Sequence, residues 1–290
     1  MDKIDEFLNY ILNEKRYSLN TVDAYKRDVS DFFNYLKKEG EQKVDELLFK
    51  NYLSYLYSKN LTKKTISRRL SSLKSYYKFV EKKYNIKYSF IHNIKSPKKD
   101  KKLPTLIYKD ELAKILSYTP TGDFCHRNKA IIHLLYSSGI RVSELCNITL
   151  ETIDLDNRYI IVTGKGNKTR VCPFSITCKK TIENYLFLER NIKAKPDNHY
   201  LFTNKYGDKI TTRSIENIIN KISLELFANT KLHPHIFRHT YATQLLNNGA
   251  DLKVVQELLG HSSLMATQIY THLAKKEINN IYRHSHPRNS

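Results

Sequence analysis

The 290-residue chain is 40% apolar and 27% charged, long enough for two domains with a sizeable core in at least one. It has no apolar run long enough for a transmembrane span, and the acids among the apolar positions of MDKIDEFLNYILNEK do not read as a secretory signal, so a cytoplasmic protein is expected. Lys and Arg outnumber Asp and Glu by 49 to 29, a net charge of +20 spread along the whole chain, which points to an extended polyanion partner, DNA or RNA before an anionic membrane.

Residues 1 to about 95 read as all helix. Ile4, Phe7, Leu8 and Ile11 recur at helical intervals. Asn20 is placed to cap a second helix whose apolar stripe is Val22, Tyr25, Val29, Phe32, Phe33 and Leu36, with Gly40 as its stop. A third helix runs from about Asp45 through Leu53 and Leu56, and a fourth, from near Thr62, carries Ile66, Leu70, Leu73, Tyr77 and Val80. Four short amphipathic helices suffice to bury one small core. The fourth also bunches Lys63, Lys64, Arg68 and Arg69, which fits a solvated basic face or a phosphate contact equally well.

Next comes IKSPKKDKKLPT, Ile94 to Thr105, with two prolines and five lysines. This composition reads as a linker over residues 96–103, and Lys98, Lys99, Lys101 and Lys102 suit a segment that crosses a DNA backbone. The expected division is a helical domain over 1–95 and a second domain over 104–290.

In the second segment, helices fit about 108–118, 125–138 and 143–147, followed by a β-rich patch in ETIDLDNRYIIVTGKGNKTRVCPF with turns at LDN and GKGN. Further helices fit about 176–192, 212–228, 234–247, 251–259 and 263–273, so this segment is mainly α with a small antiparallel β-sheet. Cys125, Cys146, Cys172 and Cys178 show neither a CxxC spacing nor a disulfide framework and read as free thiols in or near the core.

Polar residues with chemical potential cluster late in the chain. In HPHIFRHT, Pro234 suits the first turn of a helix on which His235 and Arg238 share a face, while Phe237, Tyr241 and Leu245 can point to a core. Burying Arg238 requires an anion or an internal carboxylate. The histidines of this stretch lack the HExxH glutamate or cysteine pair of a metal site, and no metal or other cofactor is expected. Arg141 sits in a helix–helix corner with Glu144 three residues on, and Lys165 lies between two glycines at a hairpin tip, open either to solvent or to an anion. Tyr270, one of 21 tyrosines, can pack with Leu264, Ile269 and Leu273 or act as a nucleophile. Taken together, two arginines, two histidines and a lysine can surround a phosphodiester and stabilise a five-coordinate phosphorus transition state, with a tyrosine forming a covalent phosphotyrosine.

Arg141 with Glu144, Lys165, His235-Ile-Phe-Arg238, Gly260-His261 and Tyr270 nine residues later follow the pattern of the tyrosine site-specific recombinases (phage-integrase family), which the chain resembles over both domains. Phe237, Tyr241 and Met265-Ala266 depart from the commoner residues of that pattern, none at a catalytic position. The resemblance implies a C-shaped clamp, with the helical domain binding core DNA and the second domain catalytic. It implies a tetramer on DNA, exchange of one strand pair at a time through a Holliday junction, and a 3′-phosphotyrosine with a free 5′-hydroxyl, without metal or ATP. Arg141 and Arg238 would bind the scissile phosphate, His235 and His261 would assist, Lys165 would be the general acid, Glu144 would support the site and Tyr270 would attack.

Within the family the chain is most similar to the Xer chromosome-dimer resolvases, given its compact layout and the IYRHSHPRNS ending. That implies action on chromosome or plasmid dimers, possible use of a second recombinase and of an activating DNA translocase, and a C-terminal tail that docks on a neighbouring protomer through Ile278, Ile281 and Tyr282. A mobile-element integrase with the same chemistry, a type IB topoisomerase-like enzyme and a non-catalytic architectural DNA-binding protein are the rival readings.

Overall fold

The structure, a computed structural model, describes residues 3–40, 44–88, 90–94, 97, 107, 109–164, 168–227 and 232–260. The chain divides into two compact units, Met1–Leu103 and Pro104–Ser290.

The first unit contains α1 (Lys3–Asn9), a π-turn (Tyr10–Glu14), α2 (Leu19–Glu39), α3 (Glu46–Ser58), α4 (Lys63–Tyr84) and the short α5 (Phe90–Asn93). Ser18, in extended conformation, is the N-cap of α2, so Asn20 falls inside the first turn instead of capping it. Gly40 ends α2 in the left-handed region at φ 70°, with its N–H on Leu36 O. Asp45 Oδ1 accepts the Leu48 N–H at 2.8 Å to start α3, and Thr62 Oγ1 accepts the Thr65 N–H at 3.2 Å to start α4. The apolar stripes meet in an aromatic core: Phe32 of α2 lies 4.8 Å from Tyr52 and 5.5 Å from Phe49 of α3, ring centroid to centroid, and all three are fully buried. The four-residue α5, which no periodicity announced, adds Phe90 to this cluster, 5.8 Å from Tyr77.

The second unit opens with α6 (Lys109–Ser117), α7 (Cys125–Ser138) and α8 (Val142–Leu145). Every residue of α7 from Ala130 to Ser138 is buried, the pattern of a helix surrounded by its domain. A three-stranded antiparallel sheet follows: β1 (Ile153–Asp154), β2 (Tyr159–Thr163) and β3 (Thr169–Pro173), in the order β1-β2-β3. Ile161 pairs with Val171 and Val162 with Arg170, so the hairpin's alternation turns Val162, Arg170 and Cys172 inward.

The helix expected over 176–192 is interrupted. It consists of α9 (Ile176–Tyr185), a π-turn (Leu186–Arg190) and α10 (Asn191–Lys193). The widened turn lets the consecutive residues Glu189 and Arg190 both be buried. Glu189 accepts the N–H groups of His126 and Arg127 at 2.9 Å each, capping α7 from a distance, while Arg190 donates to Asn198 O at 2.7 Å and to Tyr200 O at 2.8 Å.

The unit continues through α11 (Thr212–Leu226), α12 (Pro234–Asn247) and α13 (Leu252–Leu259). Pro234 occupies the first turn of α12, and Phe237, Tyr241 and Leu245 are buried. The helix expected over 263–273 lies outside the described residues. Cys146, Cys172 and Cys178 are buried and Cys125 is half-buried, all as free thiols.

Candidate active site: an arginine–glutamate corner

The site is built where α7, α8, β3, α12 and the end of α13 converge. α7 stops at Gly139 in the left-handed region at φ 60°, and a Cβ there would lie 2.4 Å from Cδ1 of Tyr241 on α12, so the position takes only glycine without a shift. This close approach brings Arg238 of α12 against the turn, and its Nη1 donates to Gly139 O at 2.7 Å. Two residues further, Arg141 is the extended N-cap of α8. Its backbone N–H donates to Glu144 Oε2 and its Nη1 to Glu144 Oε1, both at 2.8 Å. The Arg141 side chain is 33% exposed while that of Glu144 is 4% exposed, so the glutamate holds the arginine from beneath.

A third arginine completes the corner, and sequence reasoning missed it. Arg170 of β3, 5% exposed, donates from Nη1 to Glu144 Oε1 at 2.9 Å and from Nη2 to Oε2 at 2.8 Å, a bidentate pair. Its Nε donates to Leu258 O at 2.9 Å, near the end of α13. The available signal was strand alternation: Arg170 lies two residues from Cys172 on the same face of a hairpin, and an arginine on an apolar face needs a counter-charge.

Arg238 donates from Nη2 to Leu259 O, the last residue of α13. Its guanidinium is therefore held by two backbone carbonyls, and no carboxylate among the described residues is paired with it. Burial first, then the neighbouring Arg141 and Arg170, lower its pKa to about 10, which leaves it charged at neutral pH. Glu144 goes the other way: burial alone would raise its carboxyl, yet Arg170 and then Arg141 hold it down to about 2. Of the charged groups joined by these contacts, three are guanidinium and one is carboxylate. The corner therefore carries an excess of buried positive charge, with the one-third-exposed Arg141 side chain at its mouth.

His235 lies exposed on α12, one turn before Arg238, and His239, the residue after Arg238, is exposed as well. Lys165, His261 and Tyr270 lie outside the described residues, as do Lys98, Lys99, Lys101 and Lys102. Gly260 is described: its φ of 65° closes α13, and a Cβ there would lie 3.1 Å from Arg170 Nη1, so the corner packs against the residue preceding His261.

On α4, Lys63 and Lys64 are exposed. Arg68 and Arg69 instead turn toward α2. Arg68 Nη1 pairs with Asp28 Oδ2, Ser72 Oγ donates to the same oxygen at 2.7 Å, and Arg69 Nη2 meets Asp31 Oδ2 at 3.0 Å. Asp28 is 1% exposed, so these arginines serve first as counter-charges between α2 and α4.

Potential metal-ligand atoms of Cys125, His126 and Glu189, none of them from HPHIFRHT, lie within 4.8 Å of one another. Both oxygens of Glu189 already accept the backbone N–H groups that cap α7, which explains its burial without an ion.

This fold and corner define a class, and comparison with known proteins agrees. The phage integrase family matches residues 105–277, and the phage integrase N-terminal SAM-like domain matches residues 4–83. The chain is 39% identical to tyrosine recombinase XerC of Anoxybacillus flavithermus, covering 97% of this chain and 96% of that protein. It is 37% identical to tyrosine recombinase XerC of Bacillus subtilis, covering 97% and 95%. Among solved structures, the XerH site-specific recombinase bound to difH substrate, a pre-cleavage complex, matches with TM-score 0.72 at 23% identity over 97% of this chain and 95% of that one. The Tn1549 transposon integrase in complex with transposon right end DNA matches with TM-score 0.72 at 21% identity over 97% and 99%. The chain belongs to the phage integrase family. It is a tyrosine recombinase, an enzyme of site-specific DNA recombination that cleaves and rejoins DNA.

Proposed function

We propose that the arginine corner binds the scissile phosphodiester of a recombination site and that Tyr270 attacks it. The Tyr270 oxygen bonds to phosphorus as the P–O5′ bond breaks, leaving a 3′-phosphotyrosine; Lys165 gives the departing 5′-oxygen its proton, and the phenol proton leaves through the histidine pair. Arg141 and Arg238 hold the phosphate oxygens, Glu144 orients Arg141, and His235 and His261 assist by hydrogen bonding and proton transfer. Attack by the 5′-hydroxyl of the partner strand reverses these bonds and rejoins DNA, so the exchange needs no ATP. With guanidinium groups carrying the electrostatic load, it needs no metal.

The observation that carries this reading is the excess of guanidinium over carboxylate in a buried corner whose Arg141 still reaches solvent. The biological role we propose is resolution of chromosome or plasmid dimers by a tetramer of recombinase on two DNA sites, in the cytoplasm. A second recombinase and a DNA translocase are its proposed partners, and the tail after Tyr270 is the proposed contact between protomers. The 39% identity to XerC along nearly the full chain supports this role over mobile-element integration. In the helical unit, Lys63 and Lys64 occupy the first turn of α4, where the helix dipole is itself positive, so this end concentrates potential for a DNA phosphate. Lys98, Lys99, Lys101 and Lys102 are proposed to contact the DNA backbone.

A nicked suicide substrate carrying the recombination site, incubated in EDTA, tests the chemistry. Wild-type protein is expected to form a covalent protein–DNA band, and Tyr270→Phe to bind equally well and form none. A band that survives Tyr270→Phe would move the nucleophile elsewhere.

A further inference from the structure

Arg170 belongs to no part of the mechanism above, yet it is the most deeply engaged charged group of the corner. Glu144 has two carboxylate oxygens, each with room for two donors. Oε1 accepts Arg141 Nη1 and Arg170 Nη1, while Oε2 accepts the Arg141 backbone N–H and Arg170 Nη2. The two arginines nevertheless relate to this anion differently. Arg170 binds it with both ends of its fork and is 5% exposed. Arg141 spends one guanidinium nitrogen on it and keeps a third of its side chain exposed. An isolated Glu144–Arg141 pair would be neutral, and a neutral pair is a poor phosphate ligand.

We propose that Arg170 is a positioning residue of the phosphodiester site: it takes up the charge of Glu144, leaving Arg141 oriented by the carboxylate yet uncompensated for the phosphate. The same guanidinium fixes the exit of α13. Its Nε donates to Leu258 O, Arg238 donates to the adjacent Leu259 O, and the missing Cβ of Gly260 leaves the space in which Arg170 lies, 3.1 Å away. Two cations thus satisfy the terminal carbonyls of α13, the favourable end for positive charge, two and three residues ahead of His261. The proposal rests on the phosphodiester reading given above.

The test is a double-mutant cycle on the full-length protein, read as the rate of covalent adduct formation at saturating nicked DNA, with affinity and melting temperature measured in parallel. Arg170→Gln is expected to slow adduct formation about 100-fold, the scale of one lost transition-state donor, because Glu144 then neutralises Arg141. Affinity, spread over many phosphates, is expected to change little. Adding Glu144→Gln to Arg170→Gln removes the stranded carboxylate and is expected to recover about tenfold of the rate, the coupling of two groups in contact. Arg170→Lys keeps the charge but not the fork and is expected to fall between wild type and Arg170→Gln.

Should Arg170→Gln melt out, the charge-balanced double variant carries the decision. A double variant no faster than Arg170→Gln, or an Arg170→Gln as fast as wild type, overturns the proposal alone. Absence of adduct from the wild type, with the same DNA bound tightly and the second recombinase and translocase supplied, overturns the phosphodiester reading and this inference with it.

Discussion

At the scale of the residue, the corner is governed by where charge can be afforded. Glu144 is ionised in a buried place because Arg170 and Arg141 surround it, which holds its carboxyl at about 2 against an ordinary 4.5. A depressed folded-state value contributes stability that is fully present above the ordinary value and is lost as pH falls from there through the folded one. The shift corresponds to about 3 kcal/mol. Urea unfolding is therefore expected to show the protein losing about this much between pH ~5 and ~2 through Glu144, and Glu144→Gln to flatten that part of the acid limb. An acid limb unchanged by Glu144→Gln would show that the three-way contact is not made in solution. Arg238 solves the opposite problem. It has no carboxylate partner among the described residues and relies on two backbone carbonyls at helix ends, which leave its charge uncompensated.

At the scale of the element, each side chain of the corner is aimed by a local backbone device. Gly139 is the sharpest. It combines a left-handed φ with contact against the Tyr241 ring, so α7 and α12 approach as closely as backbone and side chain permit. Gly139→Ala is expected to cost at least about 2 kcal/mol, from the left-handed conformation and the overpacking together, and to lower adduct formation by displacing the carbonyl that holds Arg238. Thermal melting and the suicide-substrate assay check both; a variant of wild-type stability would mean that α7 can end without this contact. The π-turn at Leu186–Arg190 is a second device: it buries Glu189, which caps α7, beside Arg190, which holds the carbonyls of Asn198 and Tyr200. In the helical unit, Asp28 with Arg68 and Ser72 forms a buried ionic link between α2 and α4.

At the scale of the whole molecule, charge sets the terms of binding. With a net charge of +20, contact with about six to ten phosphates is expected to cost about 10³–10⁵ in affinity between ~50 and ~200 mM salt. Fluorescence anisotropy across that range measures it, and a flat curve would remove DNA-backbone contact as the main source of affinity. No described helix is long and apolar enough to cross a membrane.

Much of the architecture was legible before any coordinates. The stripe Ile66, Leu70, Leu73, Tyr77 and Val80 reads as one helix face because burial repeats every 3.6 residues, and all five are buried. Gly40, Gly139 and Pro234 mark helix ends through backbone constraints that act on a single residue. Arg141, Glu144, His235 and Arg238 stood out because their spacing lies within one turn of helix and carries its own chemistry.

What the sequence determined by itself is therefore local: periodicity, caps, turns and motif residues near one another along the chain, together with the net charge that chooses the partner. Only tertiary structure decided that Arg170 completes a carboxylate 26 positions earlier, that Glu189 caps a helix more than 60 positions away, and that Arg68 and Arg69 answer Asp28 and Asp31. The reason is physical. A buried charge must find its counter-charge in three dimensions, and no one-dimensional pattern records which one is nearest once the core has closed.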